Sequence, residues 1–214
     1  MITYFLVGSY VVCAGLTVWA VTRNRNLYRL AQILAIGCLV ALLMTGPAPM
    51  ADAYHWLVLA GLGVSLVADL VFYIEKERYL LIGIGAMALS YLLYAAAFST
   101  RMESSFSVPV LLFSLAIPAV VLLMVGNRLG TLRWPVIFLA FVMAIMASQA
   151  TTQYLALGTR SAQLAMGGVL LFFFVDGTIA IDRFGAGESL PVRFVLIELG
   201  YYSAQLLVVL SALV

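Results

Sequence analysis

An all-α, polytopic bundle of eight transmembrane helices is the architecture this sequence predicts, on three observations. Hydrophobic residues make up 65% of the 214-residue chain and charged residues 9%, with a mean hydropathy of +1.14; a soluble domain carries about a quarter charged residues. The apolar residues come in continuous runs, not in alternation, which selects helices over a barrel. The runs have membrane-crossing length and short connections. Nothing is left over for a soluble domain, so 1–214 is read as one integral membrane unit.

Taken in order, the first run covers 2–21, "ITYFLVGSYVVCAGLTVWAV". It lacks a positive n-region and a clear small-residue cleavage site, and is read as a retained helix instead of a signal peptide. The second, 27–44, ends at "TGPAP", where Pro47 and Pro49 break the helix. The third, 54–74, and fourth, 80–98, are separated by a connection carrying Lys76 and Arg78. The fifth, 109–125, contains Pro118, which a membrane helix tolerates as a kink. The sixth, seventh and eighth are 135–156, 164–181 and 194–213.

Basic residues are unevenly shared. Arg23, Arg25, Arg29, Lys76, Arg78, Arg128, Arg133, Arg183 and Arg193 flank the odd-numbered connections, while Arg101 and Arg160 occupy the others. The positive-inside rule therefore puts the odd connections in the cytoplasm and both termini outside, in a membrane expected to be a bacterial inner membrane. The net charge of +2 gives no reason to expect nucleic acid. Cys13 and Cys38 lie in apolar runs and are read as packing residues, without disulfide or metal spacing. His55, the sole histidine, is expected at the outer interface, so no soft-metal site is assigned. No Gly-rich phosphate loop or Ser-His-Asp set is present.

Shifting the chain by half its length superposes "GLGVSLVADLVFYIEK" (61–76) on "GVLLFFFVDGTIAIDR" (168–183). Gly61 meets Gly168, Asp69 meets Asp176, Lys76 meets Arg183, and further on Tyr94 meets Tyr201. Four helices per half implies a parallel repeat, about 1–107 and 108–214, around an axis along the membrane normal. Both aspartates then precede the end of their helix by five or six residues, about 8 Å from it at ~1.5 Å per residue.

A carboxylate at membrane depth is expensive and is a functional candidate by default. Gly61, Ser65 and Asp69 share one stripe of helix three, and Gly168, Phe172 and Asp176 one of helix seven, so both acids are expected to point inward. Helix eight adds Glu198, Tyr201, Tyr202 and Gln205 on one polar arc, and helix four adds Ser90, Tyr91 and Tyr94. Helix six supplies Ser148, Gln149, Thr152 and Gln153, with the two glutamines read as helix-joining hydrogen-bonders.

These segments resemble the signature regions of the YhhN family, the lysoplasmalogenases. The family's S-L-x-x-D segment corresponds to Ser65, Leu66 and Asp69. Its L-F-x-x-S-D segment corresponds to Leu171, Phe172 and Asp176, with Val175 where serine is usual. Its Y-Y-x-A-Q segment corresponds to Tyr201, Tyr202, Ala204 and Gln205. The early helix-two Lys-Pro-Leu-Thr motif is not evident in "RLAQILAIG", and Gly200 stands where threonine is usual. The resemblance implies hydrolysis of the vinyl ether bond of lysoplasmalogens, without a cofactor, with the paired aspartates as the catalytic pair.

Two carboxyls suit that chemistry. Cleavage starts by protonating the enol ether's β-carbon and needs an anion beside the resulting oxocarbenium ion, much as in glycosidases. Asp176, amid "LFFFVD", is expected to be the acid and Asp69 the stabiliser. A lysolipid would leave its chain among the helices and its phosphate near Lys76, Arg78, Arg183 and Arg193, residues that also serve orientation and contact with membrane lipids. Ser65, Tyr91, Tyr94, Glu198, Tyr201, Tyr202 and Gln205 complete the expected substrate site. A proton-coupled transporter would use the same repeat and acids, and a non-catalytic lipid-binding protein is a third reading. The lack of prolines in helices three and seven favours the enzyme.

Overall fold

The computed structural model describes residues 2–20, 23–46, 52–72, 74, 76–102, 107–185 and 191–214. Among these it contains eight α-helices and no strand: α1 Ile2–Ala20, α2 Arg25–Thr45, α3 Ala53–Phe72, α4 Glu77–Ser99, α5 Val108–Val125, α6 Arg133–Leu157, α7 Arg160–Phe184 and α8 Pro191–Ser211. All eight are long and apolar enough to cross a membrane. Two 3₁₀ turns, Gly126–Arg128 and Gly130–Leu132, link α5 to α6.

Helix ends follow their caps. Asn24 opens α2 by accepting the backbone N–H groups of Asn26 and Leu27 at 3.0 and 3.1 Å. Thr159 does the same for α7, accepting from Ala162 at 3.3 Å. That cap starts α7 at Arg160, earlier than apolarity alone places it. The breaker prolines Pro47 and Pro49 lie outside the described residues.

Consecutive helices pack as hairpins, α1 on α2, α3 on α4 and α7 on α8, and α4 also runs along α6. Over half of the α4 span is buried (56%), against 17% for α1 and for α5, so α4 is central and the other two are peripheral. Large apolar side chains such as Leu123, Phe113 and Trp134 face outward, as a lipid-facing surface requires. Inside are Leu39, Leu62, Phe98 and Phe172, but also Gln32, Ser65, Ser90, Gln153 and Gln205. Lipid gives no hydrophobic drive to helix association, so close packing and interhelical hydrogen bonds hold the bundle.

Two glycines show the close packing. A Cβ on Gly61 would lie 2.5 Å from the Tyr94 ring, and one on Gly168 would lie 3.0 Å from the Ala204 carbonyl oxygen. Their absence lets α3 settle on α4 and α7 on α8. Ser90 Oγ then reaches the Gly61 carbonyl at 2.8 Å.

At the end of the bundle away from Asp69, one arginine ties four helices. Arg101 pairs with Asp52 at 3.2 Å, donates to Ser161 Oγ at 2.6 Å, and lies 3.9 Å over the Tyr54 ring. Tyr54 and Ser211 hydroxyls meet at 2.7 Å, and Ser161 donates to the Ser211 carbonyl at 2.6 Å. His55 sits at this end too, as expected, with its ring buried against the protein (1% exposed). The α3 rotation that brings Tyr54 over to Ser211 turns His55 inward as well.

Candidate functional site

A cavity of about 420 Å³ opens in the other half of the bundle, and both Asp69 and Asp176 line it. Its wall has two characters. Tyr28, Gln32, Asp69, Asp176, Glu198 and Tyr201, from α2, α3, α7 and α8, form the polar side. Leu80, Ile84, Met87, Pro118, Leu139 and Met143, from α4, α5 and α6, are among those forming the apolar side. Ile117 of α5 lines the cavity while 47% exposed, so the apolar side reaches the lipid-facing surface. Exposed Arg183 lines it at the basic end.

The acids are held crosswise. Tyr201 of α8 donates to Asp69 Oδ2 of α3 at 2.6 Å. Tyr91 of α4 donates to Asp176 Oδ2 of α7 at 2.7 Å. Each acid of one half of the chain is thus bonded by a tyrosine of the other half. Phe172, one turn before Asp176, fills the space among Tyr91, Tyr94 and Tyr201, with ring centroids at 5.4, 6.2 and 6.1 Å. Asp69 is close enough to both Asp176 and Glu198 to interact with each electrostatically.

Behind Asp69, Gln205 organises a second layer. Its Nε2 donates to Ser65 Oγ and to Tyr201 Oη, each at 3.0 Å. Its Oε1 accepts from Tyr94 Oη at 2.8 Å. The Tyr201 hydroxyl, accepting from Gln205, has its own proton left for Asp69. That fixes its direction, as charge-assisted hydrogen bonds in a low dielectric do.

The expected residues divide accordingly. Asp69, Asp176, Glu198, Tyr201 and Arg183 line the cavity. Tyr91 reaches it through Asp176, and Ser65, Tyr94 and Gln205 stand in the supporting layer without lining it. Tyr202 is turned towards α1: its carbonyl accepts from Tyr10 Oη at 2.5 Å, and its own buried hydroxyl makes no hydrogen bond among the described residues. Lys76 and Arg78 are exposed and do not line the cavity; Arg78 lies 4.9 Å over the Tyr79 ring. The two aspartates are not equally far from their helix ends, since α3 stops at Phe72 and α7 continues to Phe184. Both nevertheless line the same cavity.

Sequence reasoning missed α2. Tyr28 donates to Glu198 Oε1 at 2.9 Å, so Glu198 has a tyrosine partner; the Arg193 side chain lies outside the described residues. Gln32, one turn on, is buried (4% exposed) and faces the Asp69 carboxyl. The available signal was the spacing of two polar residues one turn apart inside an apolar run. The helix-six glutamines, expected to join helices, are buried, but Gln153 makes no side-chain hydrogen bond among the described residues.

An eight-span helical membrane protein with paired intramembrane acids around one lipid-facing cavity is the class this geometry defines. The chain belongs to the YhhN family, whose profile matches residues 27–212. It is 36% identical over 170 residues to the membrane protein YhhN of Escherichia coli O6:H1, covering 72% of this chain and 81% of that one. The YhhN of Shigella flexneri matches to the same extent. It is also 30% identical over 158 residues to the lysoplasmalogenase TMEM86A of Bos taurus, covering 72% of this chain and 64% of that one. No solved structure matches the chain.

Proposed function

We propose that this protein hydrolyses the vinyl ether bond of lysoplasmalogens, releasing a fatty aldehyde and a glycerophospho-base. The observation that carries this reading is the meeting of Asp69 and Asp176 in one cavity with an apolar flank open towards lipid. The name of the bovine relative supports it.

The chemistry follows from the parts. A single alkenyl chain lies along Ile84, Pro118, Leu139 and Met143, and the glycerophosphate turns towards Arg183 at the basic end. Asp176 gives its proton to the β-carbon of the enol ether: the double-bond electrons form the new C–H bond, and a lone pair of the ether oxygen closes onto the α-carbon, leaving an oxocarbenium ion. Asp69, receiving Tyr201 and facing Gln32, stays charged beside that cation and directs water to the α-carbon. The water's spare proton returns to the acid pair, and the hemiacetal collapses to aldehyde and alcohol. No cofactor is consumed. The basic end of the bundle is assigned to the cytoplasm, which puts the headgroup there and both termini outside.

The test is direct. Purified protein in detergent or nanodiscs is incubated with a lysoplasmalogen, and the aldehyde is followed by trapping and mass spectrometry. Aldehyde formation that disappears in Asp69→Asn and Asp176→Asn supports the reading. No aldehyde from the wild type, with proton-linked uptake into vesicles, replaces it with the transporter.

A further inference from the structure

Among the described residues that line the cavity, one buried polar atom has no hydrogen-bond partner: Oε1 of Gln32. Its neighbours are satisfied within the protein. Tyr28 bonds Glu198, Tyr201 bonds Asp69, and Asp176 receives Tyr91. The Gln32 side chain faces the Asp69 carboxyl, an oxygen acceptor towards Tyr201, so the amide N–H₂ is the half that belongs on that side and the carbonyl is the half left over. A buried acceptor without a donor is costly. Native interiors keep such atoms rarely, and often at places where a ligand or water completes them.

The missing partner must be a donor placed close to Asp69. We infer that Gln32 is a specificity-determining residue whose carbonyl accepts a hydrogen bond from the free hydroxyl of a lysolipid's glycerol. The inference rests on the lysolipid reading given above. In such a substrate the hydroxyl-bearing carbon is separated from the vinyl group by one ether oxygen and one methylene. With the double bond at the aspartates, the hydroxyl falls beside Asp69, where Gln32 is. The terminal amide torsion of glutamine is broad and soft, so a small rotation turns Oε1 to the hydroxyl while N–H₂ keeps the carboxyl. A lipid esterified at that carbon offers no donor and adds a second chain to a cavity of about 420 Å³. Gln32 therefore reads the one group that distinguishes a lysolipid from its two-chain parent. A site built around a hydrogen bond to a substrate hydroxyl discriminates strongly against the analogue lacking it.

The experiment measures binding, not turnover. The probes are 1-O-hexadecyl-2-hydroxy-glycerophosphoethanolamine, whose saturated ether cannot be cleaved by this route, and its counterpart without the 2-hydroxyl. Both are titrated by calorimetry into the full-length protein in nanodiscs. The wild type is expected to bind the hydroxylated probe on the order of tenfold or more tightly, and Gln32→Met to bring the ratio close to one by weakening that probe alone. Equal binding of both probes by the wild type overturns the inference, as does an unchanged ratio in Gln32→Met. The wild-type ratio decides even if the variant fails to fold. Failure of hydrolysis is read separately by the aldehyde assay: no aldehyde with a large binding ratio removes the reaction and keeps the hydroxyl reader, whereas aldehyde with equal binding does the reverse.

Discussion

At the scale of single residues, the site consists of two carboxyls whose positions are set by tyrosines on other helices. General acid catalysis contributes about 10²–10⁴-fold, so Asp176→Asn is expected to lower kcat at least 10²-fold with little change in KM, and Asp69→Asn to do likewise. The adjacent tyrosines separate by partner. Tyr201→Phe removes a 2.6 Å bond to Asp69, and the expected loss in kcat/KM is on the order of tenfold, since a hydrogen bond to a charged group contributes about 1.5–3 kcal/mol. Tyr202→Phe removes a hydroxyl without a hydrogen bond among the described residues, and is expected to leave both activity and thermal stability near the wild type. Steady-state kinetics on the two variants check this contrast. Equal losses would mean that the tyrosine pair acts as a unit.

At the scale of elements, the hairpin of α3 and α4 is the frame on which Asp69 is presented. At Gly61 the backbone of helix α3 packs closely against the Tyr94 ring of α4. Gly61→Val is expected to destabilise the protein by about 1–3 kcal/mol, the usual cost of overpacking, and to lower activity through Tyr94 and Gln205. Gly63, two residues on, has open space where a Cβ would go, and Gly63→Ala is the control expected to be neutral. Thermal unfolding in detergent followed by tryptophan fluorescence separates the two. The stripe containing Gly61, Ser65 and Asp69 was legible in the sequence because i, i+4 spacing on a helix is local geometry. That Gln205 would join Ser65, Tyr94 and Tyr201 was not, because it depends on how α8 is rotated against α3 and α4.

At the scale of the whole molecule, two different ends face the two sides of the membrane. One is a knot around Arg101 that joins α3, α4, α7 and α8. The other is basic, and there Arg183 lines the cavity. On the positive-inside rule, we propose that the second faces the cytoplasm. In a background lacking Cys13 and Cys38, single cysteines introduced at Arg128 and Arg160 are expected to differ. The Arg160 position should react with a membrane-impermeant maleimide added to intact cells, and the Arg128 position only after lysis. Reversed labelling would invert the topology and put the headgroup side outside. The half-chain repeat is proposed from the matched acids and bases. In the structure α3 packs on α4 and α7 on α8, but the long contact of α4 with α6 has only a slight counterpart between α8 and α2.

The sequence alone determined the eight spans, the inward stripes of α3 and α7, and the presence of two acids near one end of the bundle. All of these follow from apolar run length, the 3.6-residue period and the cost of charge in hydrocarbon, which are properties of neighbouring residues. Only the tertiary structure decided that Tyr201 serves Asp69 while Tyr91 serves Asp176, that His55 is buried, that Tyr202 turns away, and that α2 brings Tyr28 and Gln32 to the cavity. Those outcomes are set by the rotation and crossing of whole helices. Such packing is fixed by many small contacts between residues distant along the chain, and no local pattern encodes their sum.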